Sequence, residues 1–359
     1  MYTNQFVRSC MPRDRFLLLM RTIHFAPQNA AGLEKVKRLI ESVESASQRI
    51  YTPGQEVAQD ETMIGFRGRV AHRQYIPGKR HKYGLKLFKA CTPEGYTWSM
   101  FLYGGKAEDR HGVPLGEHVV MKLGQGLVDS GRIYFMDNFY TSISLADHLL
   151  QRNTALCGTI RRNRRDLPGA VVKTKLRKGE HIAYSKGPLT CVKWRDKRDV
   201  LMLSSCFGAE LRPTGKVNRN REPIQKPAMV LAYNEAKGGI DLSDQIASYH
   251  NELRKSMKWS RKVGFAILLG VAVVNSYIIY RLCRNERLQI DEFREQLVLG
   301  LCKNAGELEA PRSWAGQHFP AERDMSGGRK ANSYRRCGVL RRPGARPRVE
   351  ARCDSSPED

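Results

Sequence analysis

The stretch Arg132-Ile133-Tyr134-Phe135-Met136-Asp137-Asn138-Phe139-Tyr140-Thr141-Ser142 constrains the fold of this chain more than any other. Its apolar run, Ile133 to Met136, reads as a short strand buried on both faces, the pattern of a parallel sheet under helices. The run stops at Asp137, and an acid at the carboxyl end of such a strand points into the crevice where open α/β sheets place their ligands. Ser142 then has the character of an N-cap, opening an amphipathic helix that carries Leu145, Leu149 and Leu150. Asp137 either serves chemistry there or merely opens a turn. Two further acid sites in equally marked places favour chemistry.

The first of these follows the turn Tyr51-Thr52-Pro53-Gly54, where Glu56 to Ile64 reads as a strand with Asp60 and Glu61 at its centre. A basic and aromatic stretch comes next, with Arg67, Arg69, His72, Arg73, Tyr75, Lys79, Arg80, His81 and Lys82. Tyr83 to Ala90 alternates as a strand through Tyr83, Leu85 and Leu87, and Thr92-Pro93-Glu94-Gly95 turns it into a return strand over Tyr96 to Tyr103. A helix near Gly116 to Leu123 leads to the strand that ends at Asp137. The second site is Lys237-Gly238-Gly239-Ile240-Asp241-Leu242-Ser243-Asp244-Gln245. The glycines permit a tight bend into a helix, and Asp241 and Asp244, three apart, share one helical face. Acids in a first helical turn also suit the helix dipole, so a purely structural role stays open.

The remaining segments frame these three. Arg13, Phe16, Leu17, Met20 and Ile23 fall at helical spacing, and a second helix from Leu33 carries Val36, Leu39, Ile40 and Val43. Gly158-Thr159-Ile160-Arg161-Arg162-Asn163-Arg164-Arg165 and Arg254-Lys255-Ser256-Met257-Lys258-Trp259-Ser260-Arg261-Lys262 concentrate cations suited to phosphate contacts. Residues 180 to 206 alternate like a small antiparallel sheet, read as an inserted β module, and Pro213 to Lys226 is polar, basic and expected to be mobile. Val263 to Tyr280 is almost wholly apolar, at the lower edge of a bilayer span of about 20 residues. Asn275, Ser276 and flanking cations favour a central helix buried all round over a membrane span. Residues after about Ala310 are rich in Arg, Gly, Pro and Ser and read as disordered.

Composition narrows the chemistry. The 359 residues hold 61 Lys and Arg against 36 Asp and Glu, a formal net charge of +25, which points to a polyanionic partner, nucleic acid or an acidic membrane. Nine cysteines are scattered without a C-x-x-C pair, as in a reduced cytosolic or nuclear protein, and Cys337 and Cys353 cannot make a zinc site by themselves. The N-terminus carries no apolar signal core, and no Walker A or dinucleotide fingerprint offers a rival chemistry. Carboxylates from two strands and a helix are natural ligands for Mg²⁺ or Mn²⁺ and would repel one another without a cation. Two such metals can activate water and stabilise the leaving oxygen of a phosphodiester. A basic protein with that cluster suits a nuclease or strand transferase.

At this point an ordered set of motifs resembles the piggyBac-type transposases: Asp60-Glu61-Thr62-Met63-Ile64-Gly65-Phe66-Arg67-Gly68-Arg69, Tyr75 to Lys86, Asp137 to Ser142, Gly158 to Arg161, and Tyr233 to Gln245. The resemblance covers roughly residues 5 to 285. It implies an α/β fold: an RNase H-like catalytic core over 56–250 with a small β insertion at about 164–225. An α-helical dimerisation and DNA-binding domain would come from 1–55 and 251–308, followed by a disordered basic tail at 309–359. It places the family's three catalytic aspartates on Asp60, Asp137 and Asp241, with Asp244 as a further metal-binding acid. It implies Mg²⁺- or Mn²⁺-dependent cut-and-paste transposition at TTAA sites by a nuclear homodimer on double-stranded DNA, with no membrane. Arg67, Arg69, Lys79, Lys82, Arg161, Arg162, Arg164, Arg165, Arg254, Lys255, Lys258, Arg261 and Lys262 are the expected DNA contacts. Family members carry a longer N-terminal region and a C-terminal cysteine-rich zinc domain. Tyr334-Arg335-Arg336-Cys337 resembles the start of that domain without its remaining ligands, so zinc is not expected. A truncated copy, or a domesticated DNA-binding protein without transposition, is the alternative expectation.

Overall fold

A computed structural model describes residues 5–304 except 80, 106–109, 111, 218–220, 222, 250–257 and 285–287. The expected disordered tail, with Cys337 and Cys353, lies outside the described residues, as do Arg254 and Lys255. The chain divides into two compact units, residues 17–296 and a smaller one drawn from both ends. Within the terminal unit, helix α1 (Gln5–Cys10) brings Cys10 Sγ to 3.9 Å from Cys302 Sγ. Helix α2 (Arg13–Thr22) spans the boundary, and α3 (Glu34–Ile50) opens the larger unit's packing with Val36 and Ile40 buried.

The first four strands are β1 (Glu56–Gly65), β2 (Gln74–Tyr75), β3 (Tyr83–Cys91) and β4 (Thr97–Leu102). Helix α4 (Leu115–Leu123), β5 (Ile133–Met136), α5 (Ile143–Gln151) and β6 (Ala155–Thr159) continue the α/β alternation. Helix α6 (Gly169–Lys173) precedes a meander of β7 (His181–Lys186), β8 (Leu189–Arg195) and β9 (Asp199–Ser204). These build one nine-stranded sheet, ordered β2-β3-β1-β5-β6-β9-β8-β7 with β4 also on β3. Strand β1 runs antiparallel to β3 and parallel to β5, and β5 runs parallel to β6. All four residues of β5 are buried, as a parallel strand covered on both faces must be.

The inserted meander joins the core: β9 pairs antiparallel with β6, Gly158 opposite Leu203, so the insertion's strands extend the core sheet. The edge of β6 would otherwise present unpaired backbone groups, and β9 satisfies them. The polar, basic stretch carries a two-stranded ribbon, β10 (Leu211–Val217) with β11 (Pro223–Pro227).

Helices α7 (Ala228–Ala236) and α8 (Gly239–Ser248) then cross one face of the sheet. Gly239 lets α8 reach the β3–β4 turn, because a Cβ there would lie 2.2 Å from the Thr92 carbonyl oxygen. The long apolar helix starts as α9 (Trp259–Phe265), passes through a π-helical stretch Ala266–Ala272, and continues as α10 (Val273–Arg284). Helix α11 (Ile290–Asn304) follows. Val263, Ile267 and Val271 pack with Val36, Ile40, Ile64, Leu85, Leu87 and Met100 in one core cluster.

That long helix is not buried all round. It is long and apolar enough to cross a membrane by length and composition, and 44% of its most apolar window is buried. One side is covered by α3 and the sheet, while Leu269 and Leu282 are exposed. Asn275 explains the polar break in the sequence. Its side chain accepts from the Thr97 backbone N–H at 2.8 Å and donates to the Thr97 carbonyl at 2.7 Å and Ser47 Oγ at 3.0 Å. A buried amide satisfied three times ties the helix to β4 and α3.

Candidate active site

Register brings the first two acids together. Gln59 pairs with Met136 across the parallel β1–β5 ladder, so Asp60 and Asp137 are the next residues on adjoining strands and lie on one face. Burial pushes the Asp60 carboxyl up to about 8, helped by the neighbouring Glu61 and by Asp137, and opposed by Lys79. Asp137 is also raised by burial, against a 2.8 Å hydrogen bond from the Phe139 N–H. The turn after Asp137 is stiff. Thr141 Oγ1 donates to the Asp137 carbonyl at 2.9 Å, and Ser142 Oγ caps α5 by accepting from the Leu145 N–H, as its sequence position indicates. Gly158 on β6 faces this turn, where a Cβ would sit 2.4 Å from Thr141 Oγ1.

Glu61 is handled differently. Tyr140 donates its hydroxyl to Glu61 Oε2 at 2.7 Å, and Lys79 and Lys86 stand 3.7 and 3.8 Å from the carboxylate. Burial alone would raise this carboxyl, but Lys86, Tyr140 and Lys79 outweigh it and hold it below the ordinary range. Lys79 Nζ also donates to the Glu61 carbonyl at 3.2 Å. It covers the edge of β1 left open once β5 has ended. Lys79, expected to contact DNA, therefore stands at the carboxylates.

Helices α7 and α8 close the site from above. Tyr233 hydrogen-bonds to Thr159, and burial, with Asp137 and Asp60 nearby, pushes its phenol up to about 12. On α8, Ile240 packs on Ala58 and Cys91. Ser243 Oγ accepts from Lys89 Nζ at 2.9 Å. Asp244 accepts from Lys89 Nζ at 3.1 Å and from Thr62 Oγ1 at 2.8 Å. At 100° per residue, rotation from Ser243 over β3 to Asp244 over β1 continues to Asp241. Asp241 thus lies away from the sheet-facing Ser243, exposed to solvent.

The structure brings Asp60 and Asp137 together, joins Asp244 to a lysine, and leaves Asp241 open. Among the described residues no three His, Cys, Asp or Glu side chains are gathered closely enough to hold a metal ion. The donor chemistry nonetheless fits a hard divalent cation. Asp60 and Asp137 present adjacent oxygen ligands that Lys79 and Arg161 offset only in part, since both carboxyls stay raised, the condition that Mg²⁺ or Mn²⁺ relieves.

The basic residues separate into two kinds. Arg67, Arg69, Lys82, Arg162, Arg165 and Lys258 are exposed. Arg162 also lines a cleft of about 480 Å³ with Asn138, Thr159, Lys193 and Arg195. Others are engaged by protein groups, Arg161 while itself exposed. Arg161 Nε donates to Asn138 Oδ1 at 3.0 Å, and Arg164 donates to the Asn138 and Phe139 carbonyls, so both brace the turn after Asp137. Arg261, expected on a DNA-facing surface, instead donates to the carbonyls of Met20, Arg21 and Ile23 at the end of α2. Burial lowers the Lys262 ammonium.

Sequence reasoning passed over Glu61, Thr62, Lys86, Lys89, Tyr140 and Tyr233 as site components. One signal was available. The alternation Tyr83, Leu85, Leu87 continues to Lys89, and a lysine in an apolar register requires a buried counter-charge.

The family described as Transposase IS4 matches residues 1–277. The human PiggyBac transposable element-derived protein 3 is 27% identical over 331 residues, covering 86% of this chain and 55% of its own length. The human PiggyBac transposable element-derived protein 2 is 27% identical over 303 residues, covering 77% and 50%. A cryo-EM structure of a piggyBac transposase synaptic complex with hairpin DNA superposes with a TM-score of 0.74 at 32% identity, covering 86% of this chain and 66% of that one. This chain spans about half the length of those human relatives.

Proposed function

This chain belongs to the Transposase IS4 family and is of the piggyBac type, with an RNase H-like core, and we propose that it cuts and joins DNA phosphodiesters with divalent cations. The observation that carries this reading is the adjacency of Asp60 and Asp137 at the ends of parallel strands, both carboxyls raised by burial. When bound, a pair of Mg²⁺ or Mn²⁺ ions supplies Lewis acidity at the scissile phosphodiester. Asp60 and Asp137 would hold them, and Asp241 would approach from the flank of α8. Lys79 offsets part of the negative charge, and Arg161 and Arg164 keep the Asp137 turn rigid.

Double-stranded DNA is the proposed partner, in keeping with the net charge of +25 and with the hairpin DNA in the similar synaptic complex. Arg67, Arg69, Lys82, Arg162, Arg165 and Lys258 are the proposed phosphate contacts. Transposon ends and TTAA targets, a homodimer using residues 1–55 and 251–308, and action in the nucleus complete the proposal. A second reading, DNA binding without cleavage, is favoured by one observation: Asp244 is engaged by Lys89 and Thr62 while Asp241 stands apart in solvent.

The deciding experiment is a nicking assay in Mg²⁺ on duplex DNA carrying the element's own ends, with Asp137→Asn beside the wild type. The proposal expects wild-type nicking, none from Asp137→Asn, and DNA affinity kept or slightly raised in the variant, since affinity comes mainly from Lys and Arg. Wild-type binding without cleavage in either Mg²⁺ or Mn²⁺ selects the second reading. An Asp137→Asn chain that fails to fold would show that the acid is structural.

A further inference from the structure

Lys89 lies in the middle of β3, directly opposite Asp60 in the β1–β3 register, with 2% of its side chain exposed. A lysine in that position needs compensation, because an ammonium removed from water without a partner is costly. All the compensation seen comes from one helix: Asp244 at 3.1 Å and Ser243 at 2.9 Å, both on α8. Thr62 Oγ1 reaches both Asp244 oxygens, at 2.9 and 2.8 Å, so the same carboxylate is held from β1 as well. One turn earlier, Gly239 abuts the Thr92 carbonyl and Ile240 packs on Ala58 and Cys91. The apolar contact sets how close α8 comes to the sheet. The charged contact sets its rotation about its own axis, and Asp241 sits on that same helix one turn back.

We propose that Asp244 is the counter-ion of buried Lys89 and a positioning residue for Asp241, rather than a metal ligand. The inference rests on the metal-dependent reading above. Drawing Asp244 onto a cation would strand the Lys89 ammonium in the core, so the carboxylate stays on the lysine with or without metal. The lock fixes the rotation of α8 on the sheet, and with it the position of Asp241 one turn back. Burial would lower the Lys89 ammonium's affinity for its proton, and Asp244 more than restores it.

A double-mutant cycle on the full chain tests this. Mn²⁺ affinity by calorimetry and the urea midpoint are measured for the wild type, Lys89→Met, Asp244→Asn and the double variant, with Asp241→Asn as control. Each single substitution should weaken Mn²⁺ about tenfold, as loss of an orienting partner does. The double should also lose about tenfold rather than a hundredfold, because both changes cut one interaction. A Lys89→Met chain that binds Mn²⁺ as tightly as the wild type, or more tightly, while Asp244→Asn weakens it, would make Asp244 a ligand and overturn the proposal. Midpoints that move while Mn²⁺ affinity stays constant would overturn it too, leaving only a structural ion pair. If Asp244→Asn alone does not fold, Lys89→Met and the double carry the test, with equal losses expected. A wild type that binds no Mn²⁺ sinks the metal-dependent reading itself; uncoupled singles sink the lock alone.

Discussion

Asp60→Asn should make the metal-free protein more stable at neutral and alkaline pH while removing its ability to hold a divalent cation. The carboxyl is pushed up to about 8 from an ordinary value of 3.8. Between those values the unfolded chain has released its proton and the folded chain has not. The folded state then binds more protons, so stability is greatest at acid pH and falls as pH rises from about 4 to about 8. From pH 5 to pH 8 the full effect of one such group is ~4 kcal/mol at ~1.4 kcal/mol per unit. Lys79 opposes the rise and Glu61 stays ionised beside Asp60, so about half, ~2 kcal/mol, is expected to be observed. Urea unfolding of the full chain at pH 5 and pH 8, in chelator, measures it. The wild type should lose ~2 kcal/mol more than Asp60→Asn over that interval, and saturating Mg²⁺ should remove most of the difference. Asp137 contributes a loss of the same sign in both proteins. Equal losses in the two proteins would refute the reasoning, since Asp60 would then be ionised throughout and no uncompensated charge would await a cation.

Other outcomes follow from particular contacts. Gly239→Ala should cost about 2 kcal/mol in urea unfolding, because its Cβ would meet the Thr92 carbonyl at 2.2 Å and push α8 off the sheet. Asn275→Leu should cost about 3 kcal/mol by leaving the Thr97 backbone N–H and carbonyl buried without their partner. Arg162→Gln with Arg165→Gln should flatten the log–log salt dependence of DNA binding by about two, at about 0.9 per phosphate contact. Arg261→Gln should leave that slope unchanged and lower the unfolding midpoint instead, since its guanidinium caps carbonyls at the end of α2.

Features encoded by neighbours in the chain were legible beforehand. The β5 strand, the stop at Asp137 and the Ser142 cap follow from a short apolar run and a hydroxyl three residues before a free N–H. The β1 and β3 strands, a helix starting at the Gly238-Gly239 bend, and the placement of Asp60 within a strand were read the same way, because alternation and capping are local rules. Features requiring a partner far along the chain were not legible. Nothing in residues 180–206 specifies that β9 will close the open edge of β6, since pairing depends on which edge is left unsatisfied after the helices pack. Arg261 reads like any phosphate-binding arginine until the end of α2 arrives beside it. Asp244 reads as a fourth acid of the site until Lys89, 155 residues earlier, is found buried beneath it. Spacing put Asp241 and Asp244 on one helical face; which of them meets the lysine and which meets solvent was decided by the rotation of α8 on the sheet, a consequence of packing between segments distant in the chain.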